Sequence, residues 1–135
     1  MAPHLSDKNE MIQKVETNLA PAPIGPYSQA IQFENTVWVS GCIALDPQTG
    51  AMMQASIGEE TEQVMQNLQA IVEASGSSLA KIVKTTIFLT DLSQFSLVNE
   101  VYGKYLSNPF PARETVQVSA LPKGANVEIS CICSL

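Results

Sequence analysis

Arg113 is the only arginine in the 135-residue chain; the other six cations are lysines. A guanidinium presents a flat, two-pronged donor edge that fits a carboxylate or a phosphate, and an ammonium does not. Any fork-type grip on a small anion therefore falls to Arg113, which follows Pro111-Ala112 at the mouth of a strand-like run. The plainer alternative is a surface arginine that opens a strand. Glu128 lies in Val127-Glu128-Ile129-Ser130-Cys131. Side chains alternate along a strand, so Glu128 shares a face with Ser130 and Ile132. It is there either as a solvated carboxylate or as a general base that takes a proton from, or orients, a water.

Three more positions carry usable groups. At 100° per residue, Asn99 falls about 40° from Phe95 and near Tyr102, on the inward side of a helix. A buried amide needs partners, which nearby backbone or a ligand can supply. Tyr27, beside a proline-rich stretch, is either a core ring or the aromatic wall of a pocket. Ser40-Gly41 reads as a strand bulge or as a close backbone approach to a ligand.

The remaining inventory excludes several chemistries. The single histidine, His4, gives no material for a Ser-His-Asp triad, a His-paired ribonuclease site or a multi-His metal site. Cys42, Cys131 and Cys133 are an odd set with C-x-C spacing. They read as reduced, small apolar core side chains of a cytoplasmic protein rather than as a zinc or redox site. No G-x-S-x-G elbow or phosphate loop occurs. A formal charge of −6 opposes nucleic-acid binding, which relies on clustered cations. Apolar runs fall well short of the ~20 residues of a membrane helix. The first twenty residues lack the apolar core of a signal peptide and carry Asp7, Glu10 and Glu16 without an arginine.

The elements that must position these groups follow from pattern. Residues 1–17 read as an N-terminal segment, disordered over 1–10 and a short edge strand over 11–17. Residues 18–135 read as one domain. Ala20–Tyr27 holds three prolines and a glycine and reads as an ordered or extended loop. Ser28–Phe33 and Val37–Ile43 flank Glu34-Asn35-Thr36 as a hairpin. Ser56 and Glu59 have capping-box spacing ahead of the apolar stripe Val64, Met65, Leu68, Ile71 and Val72, and Gly76 stands at the expected C-cap. A β-branched strand runs from Ile82 to Thr90. Asp91 or Ser93 caps a second helix that reaches about Leu106, with Phe95, Val98, Tyr102 and Tyr105 on one face. Thr115–Ala120 and Asn126–Cys133 close the chain. The order β-β-β-α-β-α-β-β predicts an α+β domain with both helices on one face of a mixed sheet. The opposite face then needs a partner surface.

Short segments in this order resemble one family. They include Ile24-Gly25-Pro26-Tyr27-Ser28-Gln29, Val39-Ser40-Gly41, Asp46-Pro47-Gln48-Thr49-Gly50, Pro111-Ala112-Arg113, Leu121-Pro122-Lys123 and Val127-Glu128-Ile129. Together they are similar to the reactive-intermediate deaminases, the YjgF/Rid or L-PSP family, over nearly all the chain after about residue 18. The resemblance implies a chorismate-mutase-like fold with a single six-stranded sheet, and a homotrimer with three clefts between subunits. It implies hydrolysis of 2-imino acids, released by pyridoxal-phosphate-dependent dehydratases, to 2-keto acids and ammonia, with no cofactor or metal. Arg113 would then clamp the substrate carboxylate and Glu128 would activate the water. Tyr27, Ser40 and Asn99 would line the cleft, and the Thr115 backbone would touch the imine side. Two departures stand out: Thr115 where some relatives carry cysteine, and Cys42 where many carry glutamine. Other roles described for relatives, an endoribonuclease or translation inhibitor and a non-catalytic ligand-sensing or chaperone-like trimer, are the alternatives.

Overall fold

The computed structural model describes residues 11–135. The expectation of disorder over residues 1–10 lies outside the described residues. Strand β1 (Ile12–Val15) is followed by β2 (Ala30–Phe33) and β3 (Thr36–Cys42). Next come α1 (Ile57–Ala74), β4 (Ile82–Leu89), α2 (Phe95–Lys104), β5 (Ala112–Gln117) and β6 (Val127–Ser134). This is the element order expected from pattern.

The strands form one six-stranded sheet in the order β1-β2-β3-β6-β4-β5. Among the described residues only β4 and β5 run parallel, with α2 as their crossover, and the other pairs are antiparallel. The sheet is therefore mixed, with β1 and β5 at its edges. The β2–β3 connection is tighter than expected. Phe33 pairs with Thr36, which leaves only Glu34-Asn35 as the turn, and Glu34 takes φ of 54° there.

Alternation decides what each face carries. Val37, Val39, Ile87, Leu89, Ile129 and Cys133 point to the helices and are fully or almost fully buried. Val64, Met65, Leu68 and Val72 of α1 and Val98 and Tyr102 of α2 meet them in one core. The helix starts and stops fall where the sequence puts them. Ser56 Oγ accepts from the Glu59 N–H at 3.1 Å. At the other end Gly76 adopts φ of 90°. The Gly76 and Ser77 N–H groups donate to the Glu73 and Val72 carbonyls, which closes the helix.

Helix α2 ends at Lys104, short of Leu106. Asp91 caps a 3-10 turn, Leu92–Gln94, that leads into it. The fifth strand starts at Ala112, three residues before Thr115. Pairing with β4 from Lys84↔Ala112 onward captures that stretch, so Arg113 lies inside a strand rather than ahead of one.

Among the described residues, the second face of the sheet carries no helix. Trp38 is half exposed there and Val116 is exposed. Register places Ile31 and Ile132 beside Trp38, and Phe88 beside Val116. The two apolar patches are separated by Lys84, Thr86, Glu114 and Ser130, and exposed apolar patches of this kind mark surfaces that meet a partner.

Candidate functional site

The predicted site residues separate into two groups on one chain. The first gathers around Glu128. Between Val39↔Cys131 and Cys42↔Ile129 the β3–β6 register slips. Two residues, Ser40 and Gly41, there oppose the single residue Ser130, which is a β-bulge. The sequence left two readings for Ser40-Gly41, and the bulge is what forms. It also brings backbone close to a functional group, and that group is Glu128 itself. A Cβ built on Gly41 would lie 2.6 Å from both Cδ and Oε2 of Glu128. No side chain fits there, so the glycine is the floor on which the carboxyl rests.

Glu128, Ser40, Tyr27, Ile24, Cys42 and Lys123 are among the residues that line a cavity of about 540 Å³. Most of the polar groups in its wall are already used. Ser40 Oγ donates to the Ser28 carbonyl at 2.6 Å. The buried Gln29 side chain donates to the carbonyls of Thr17, Ala20 and Pro21, and accepts from the Thr17 N–H. It ties the proline-rich loop to the sheet. Asn67 of α1 donates to the carbonyls of Ile43 and Leu45. Tyr27 is half exposed, and its hydroxyl accepts from the Ile24 N–H. What remains in the lining is an apolar wall, the Glu128 carboxyl and the exposed residue Lys123. Burial raises the Glu128 carboxyl above the ordinary carboxylate range. It also pushes the Cys42 thiol up to about 12, with a contribution from the charge on Glu128.

The second group gathers around Arg113 on edge strand β5. Its Nη1 donates to Asn99 Oδ1 at 2.6 Å. Its guanidinium carbon lies 5.2 Å from the ring centroids of both Phe95 and Tyr102. Tyr102 is itself fixed by a 2.7 Å bond between its hydroxyl and that of Thr85. Two aromatic faces and one amide oxygen thus restrict the fork while part of its donor edge stays free. Arg113, Asn99, Tyr102, Gly103, Phe110 and Pro111 line a cleft of about 440 Å³. Thr115, two residues on, shares this face. Its side-chain oxygen is buried and has no hydrogen-bond partner among the described residues.

One expectation is corrected. Asn99 is exposed, not on the inward side of its helix. Helix α2 buries Val98 and Tyr102. Asn99, one step around from Val98, reaches past the edge of the core to the last strand of the sheet. Its partner is the Arg113 side chain, neither nearby backbone nor core.

Sequence reasoning missed the ring sandwich around Arg113. The helical face containing Phe95 and Tyr102 was visible, but no local signal says that a residue eleven positions past Tyr102 returns to it. The pairing of Gly41 with Glu128 was equally hidden, because it crosses two strands far apart in sequence.

The family model for Endoribonuclease L-PSP matches residues 17–135. The chain belongs to the L-PSP family. Its relatives span several kingdoms. It is 50% identical over 121 residues to Reactive Intermediate Deaminase A, chloroplastic, of Arabidopsis thaliana, covering 90% of this chain and 65% of that protein. It is 44% identical over 125 residues to the 2-iminobutanoate/2-iminopropanoate deaminase of Mus musculus, covering 92% of this chain and 93% of that one. Among solved L-PSP structures, RidA from the Antarctic bacterium Psychrobacter sp. superposes with a TM-score of 0.88. It shares 47% identity over 91% of this chain and 99% of that chain.

Proposed function

We propose that this L-PSP protein is a 2-imino acid deaminase, active on substrates such as 2-iminobutanoate and 2-iminopropanoate, and that it works as a homotrimer. The observation that carries this reading is the restrained fork of Arg113, aimed into a cleft, in a chain that also cradles a desolvated carboxyl on Gly41. An imino acid needs both. Its carboxylate needs a bidentate cation, and its C=N carbon needs a water beside a base.

The steps balance without any added reagent. Arg113 holds the substrate carboxylate. Glu128 accepts a proton as the water oxygen bonds to the imine carbon and the C=N double bond becomes single. The same carboxyl returns the proton to nitrogen. It then takes the hydroxyl proton as the C–N bond breaks and the C=O bond forms, so that ammonia leaves a 2-keto acid and carries that proton away as ammonium. A protonated imine is already electrophilic, so positioning and proton transfer supply the catalysis. The raised affinity of Glu128 for protons brings it closer to the working pH of a general base.

Arg113 and Glu128 lie on opposite faces of one sheet, so a working cleft takes Arg113 from one subunit and Glu128 from the next. The second face of the sheet and the edge of β5, both open among the described residues, supply surface for that assembly. Tyr27, Ser40 and Asn99 line the combined cleft, and Thr115 lies beside the imine nitrogen. The physiological source of substrate is a pyridoxal-phosphate-dependent dehydratase in the same compartment, which we take to be the cytoplasm. The family's endoribonuclease name fits poorly with a charge of −6 and one arginine.

The test is a coupled assay. Threonine dehydratase and threonine are followed for 2-oxobutanoate release with and without this protein. Acceleration of the imine-to-ketone step is the expected result. No acceleration would move the reading to a non-catalytic, ligand-sensing or chaperone-like trimer.

A further inference from the structure

Behind the candidate site lies a charged group with no assigned task. Glu60, in the first turn of α1, is completely buried. A carboxylate in a core is expensive unless hydrogen bonds replace its hydration. Its partners all belong to one short stretch. Oε2 accepts from the backbone N–H groups of Asn126 at 2.7 Å and Val127 at 3.3 Å. Oε1 accepts from Asn126 Nδ2 at 2.8 Å. On its other side, the Asn126 carbonyl accepts from the Thr90 N–H at 3.1 Å. Asn126 is therefore fixed by both α1 and the end of β4.

That stretch is the start of β6, and Glu128 is its second residue. The same anchor ends the loop that carries Lys123 into the 540 Å³ cavity. The two residues nearest the anchor thus lead, one in each direction, to Glu128 and Lys123 of the cavity lining. The Arg113 group lies on the opposite sheet face, on β5, and none of its bonds passes through Glu60.

We infer that Glu60 is a positioning residue: it fixes the entry to β6 and so holds the Glu128 carboxyl against Gly41, in the orientation that hydrolysis requires. This deepens the imine deaminase reading and rests on it. The anchor differs from ordinary packing in its chemistry. Three N–H donors converge on it, so an apolar residue of similar size would fill the space and leave three donors without acceptors. Glutamine, by contrast, can keep its carbonyl oxygen on the two backbone donors. Its NH2 then faces the Asn126 amide, which needs only to turn over to present its oxygen.

The experiment compares Glu60→Gln, Glu60→Leu and Asn126→Ala in the full-length protein. Each is assayed well below its own unfolding temperature. Readouts are kcat and KM on enzymatically generated 2-iminobutanoate, calorimetric affinity for 2-oxobutanoate, and the 13C titration of the Glu128 carboxyl. Tyr27, Cys42 and Lys123 also line that cavity, and burial pushes the Cys42 thiol up to about 12. The expected result is near-normal kcat for Glu60→Gln and at least a tenfold lower kcat for Glu60→Leu. Asn126→Ala, which deletes one arm only, should lie between them. KM and 2-oxobutanoate affinity should stay within about threefold in all three, because Arg113 is untouched. The Glu128 titration should fall back toward the ordinary carboxylate range in Glu60→Leu as water reaches it.

A folded Glu60→Leu protein with normal kcat would overturn the inference, as would equal losses in the Gln and Leu variants. Should Glu60→Leu not fold, Asn126→Ala decides. An unchanged kcat and an unchanged Glu128 titration in that variant would overturn the inference. Failure of the deaminase reading shows differently, as wild-type protein without hydrolysis. The Glu128 titration then still tests the anchor.

Discussion

Arg113 and Glu128 face opposite sides of the same sheet. Arg113 stands in register with Thr85, whose side chain is buried under α2. Glu128 stands in register with Phe88, on the face that carries no helix among the described residues. Strand alternation fixes both directions, so no side-chain rearrangement brings the two groups together within one chain. Chemistry that uses both must draw them from different subunits.

A subunit-mixing experiment tests this directly. Arg113→Ala and Glu128→Gln should each be inactive alone. After unfolding and refolding together in equal amounts, about a quarter of the clefts would combine an intact arginine with an intact glutamate, given random assembly into closed rings. Activity should recover to about that fraction of wild type. Light scattering on the wild-type protein should give three times the 14.5 kDa chain mass. Inactive mixtures whose subunits had demonstrably exchanged, or a monomer at micromolar concentration, would sink the shared cleft.

Replacing Arg113 by lysine keeps the charge and discards the fork. It also discards the flat surface that stacks between Phe95 and Tyr102. Truncating one partner of a desolvated charged pair costs ~2–5 kcal/mol. Arg113→Lys should therefore lose thirtyfold or more in kcat/KM, with weaker binding of 2-oxobutanoate. The fold should survive, since the side chain is exposed in the single chain. Near-normal affinity by calorimetry would remove Arg113 from the role of carboxylate anchor.

The legibility of these features tracks the range over which each is determined. Helix α1 was readable because its cap, stripe and closing glycine are local: Ser56, the Val64–Val72 stripe and Gly76 all do what their spacing predicts. The start of β5 was not. Ala112 and Arg113 become strand only because β4 runs alongside them in parallel, and parallel pairing leaves no turn signal. Asn99 was placed inward by helical angle alone. That angle says which residues share a side, but not where the sheet beneath ends. Glu60 offered least warning. In sequence it is one of several acidic residues at a helix start, a setting that ordinarily means solvent and a favourable dipole.

Gly41→Ala is the sharpest probe of the carboxyl cradle. The added methyl would sit 2.6 Å from Glu128 Cδ and Oε2, so the carboxyl must move. Backbone strain does not enter, because Gly41 is not among the glycines with positive φ. Overpacking of this kind costs ~1–3 kcal/mol in stability, and the loss should be concentrated in kcat. The double variant Gly41→Ala with Glu128→Gln should be no worse than Glu128→Gln alone, because both changes act on one group. Additive losses in the double-mutant cycle would mean that the glycine serves something other than Glu128.

Glu128→Gln should separate activity from stability, and in opposite directions. Burial raises the proton affinity of Glu128 in the folded protein. The folded state therefore favours the neutral form more than the unfolded state does. Stability from this group is greatest below the unfolded carboxylate range and is lost as pH rises through the folded value. Where the carboxyl is ionised the wild type bears that cost, and the neutral amide does not. Glu128→Gln should accordingly unfold at an equal or higher temperature than wild type at pH 7, with the difference shrinking as pH falls below about 4, the ordinary carboxylate range. Hydrolysis should collapse in the same variant while 2-oxobutanoate still binds. The wild-type kcat should decline on the acid side at a pH above the ordinary carboxylate value. Thermal unfolding at pH 7 and pH 4, paired with a pH–rate profile, checks all three. A destabilised Glu128→Gln protein at pH 7 would mean that the carboxylate is held by favourable contacts, and a variant with normal turnover would show that the proton goes elsewhere.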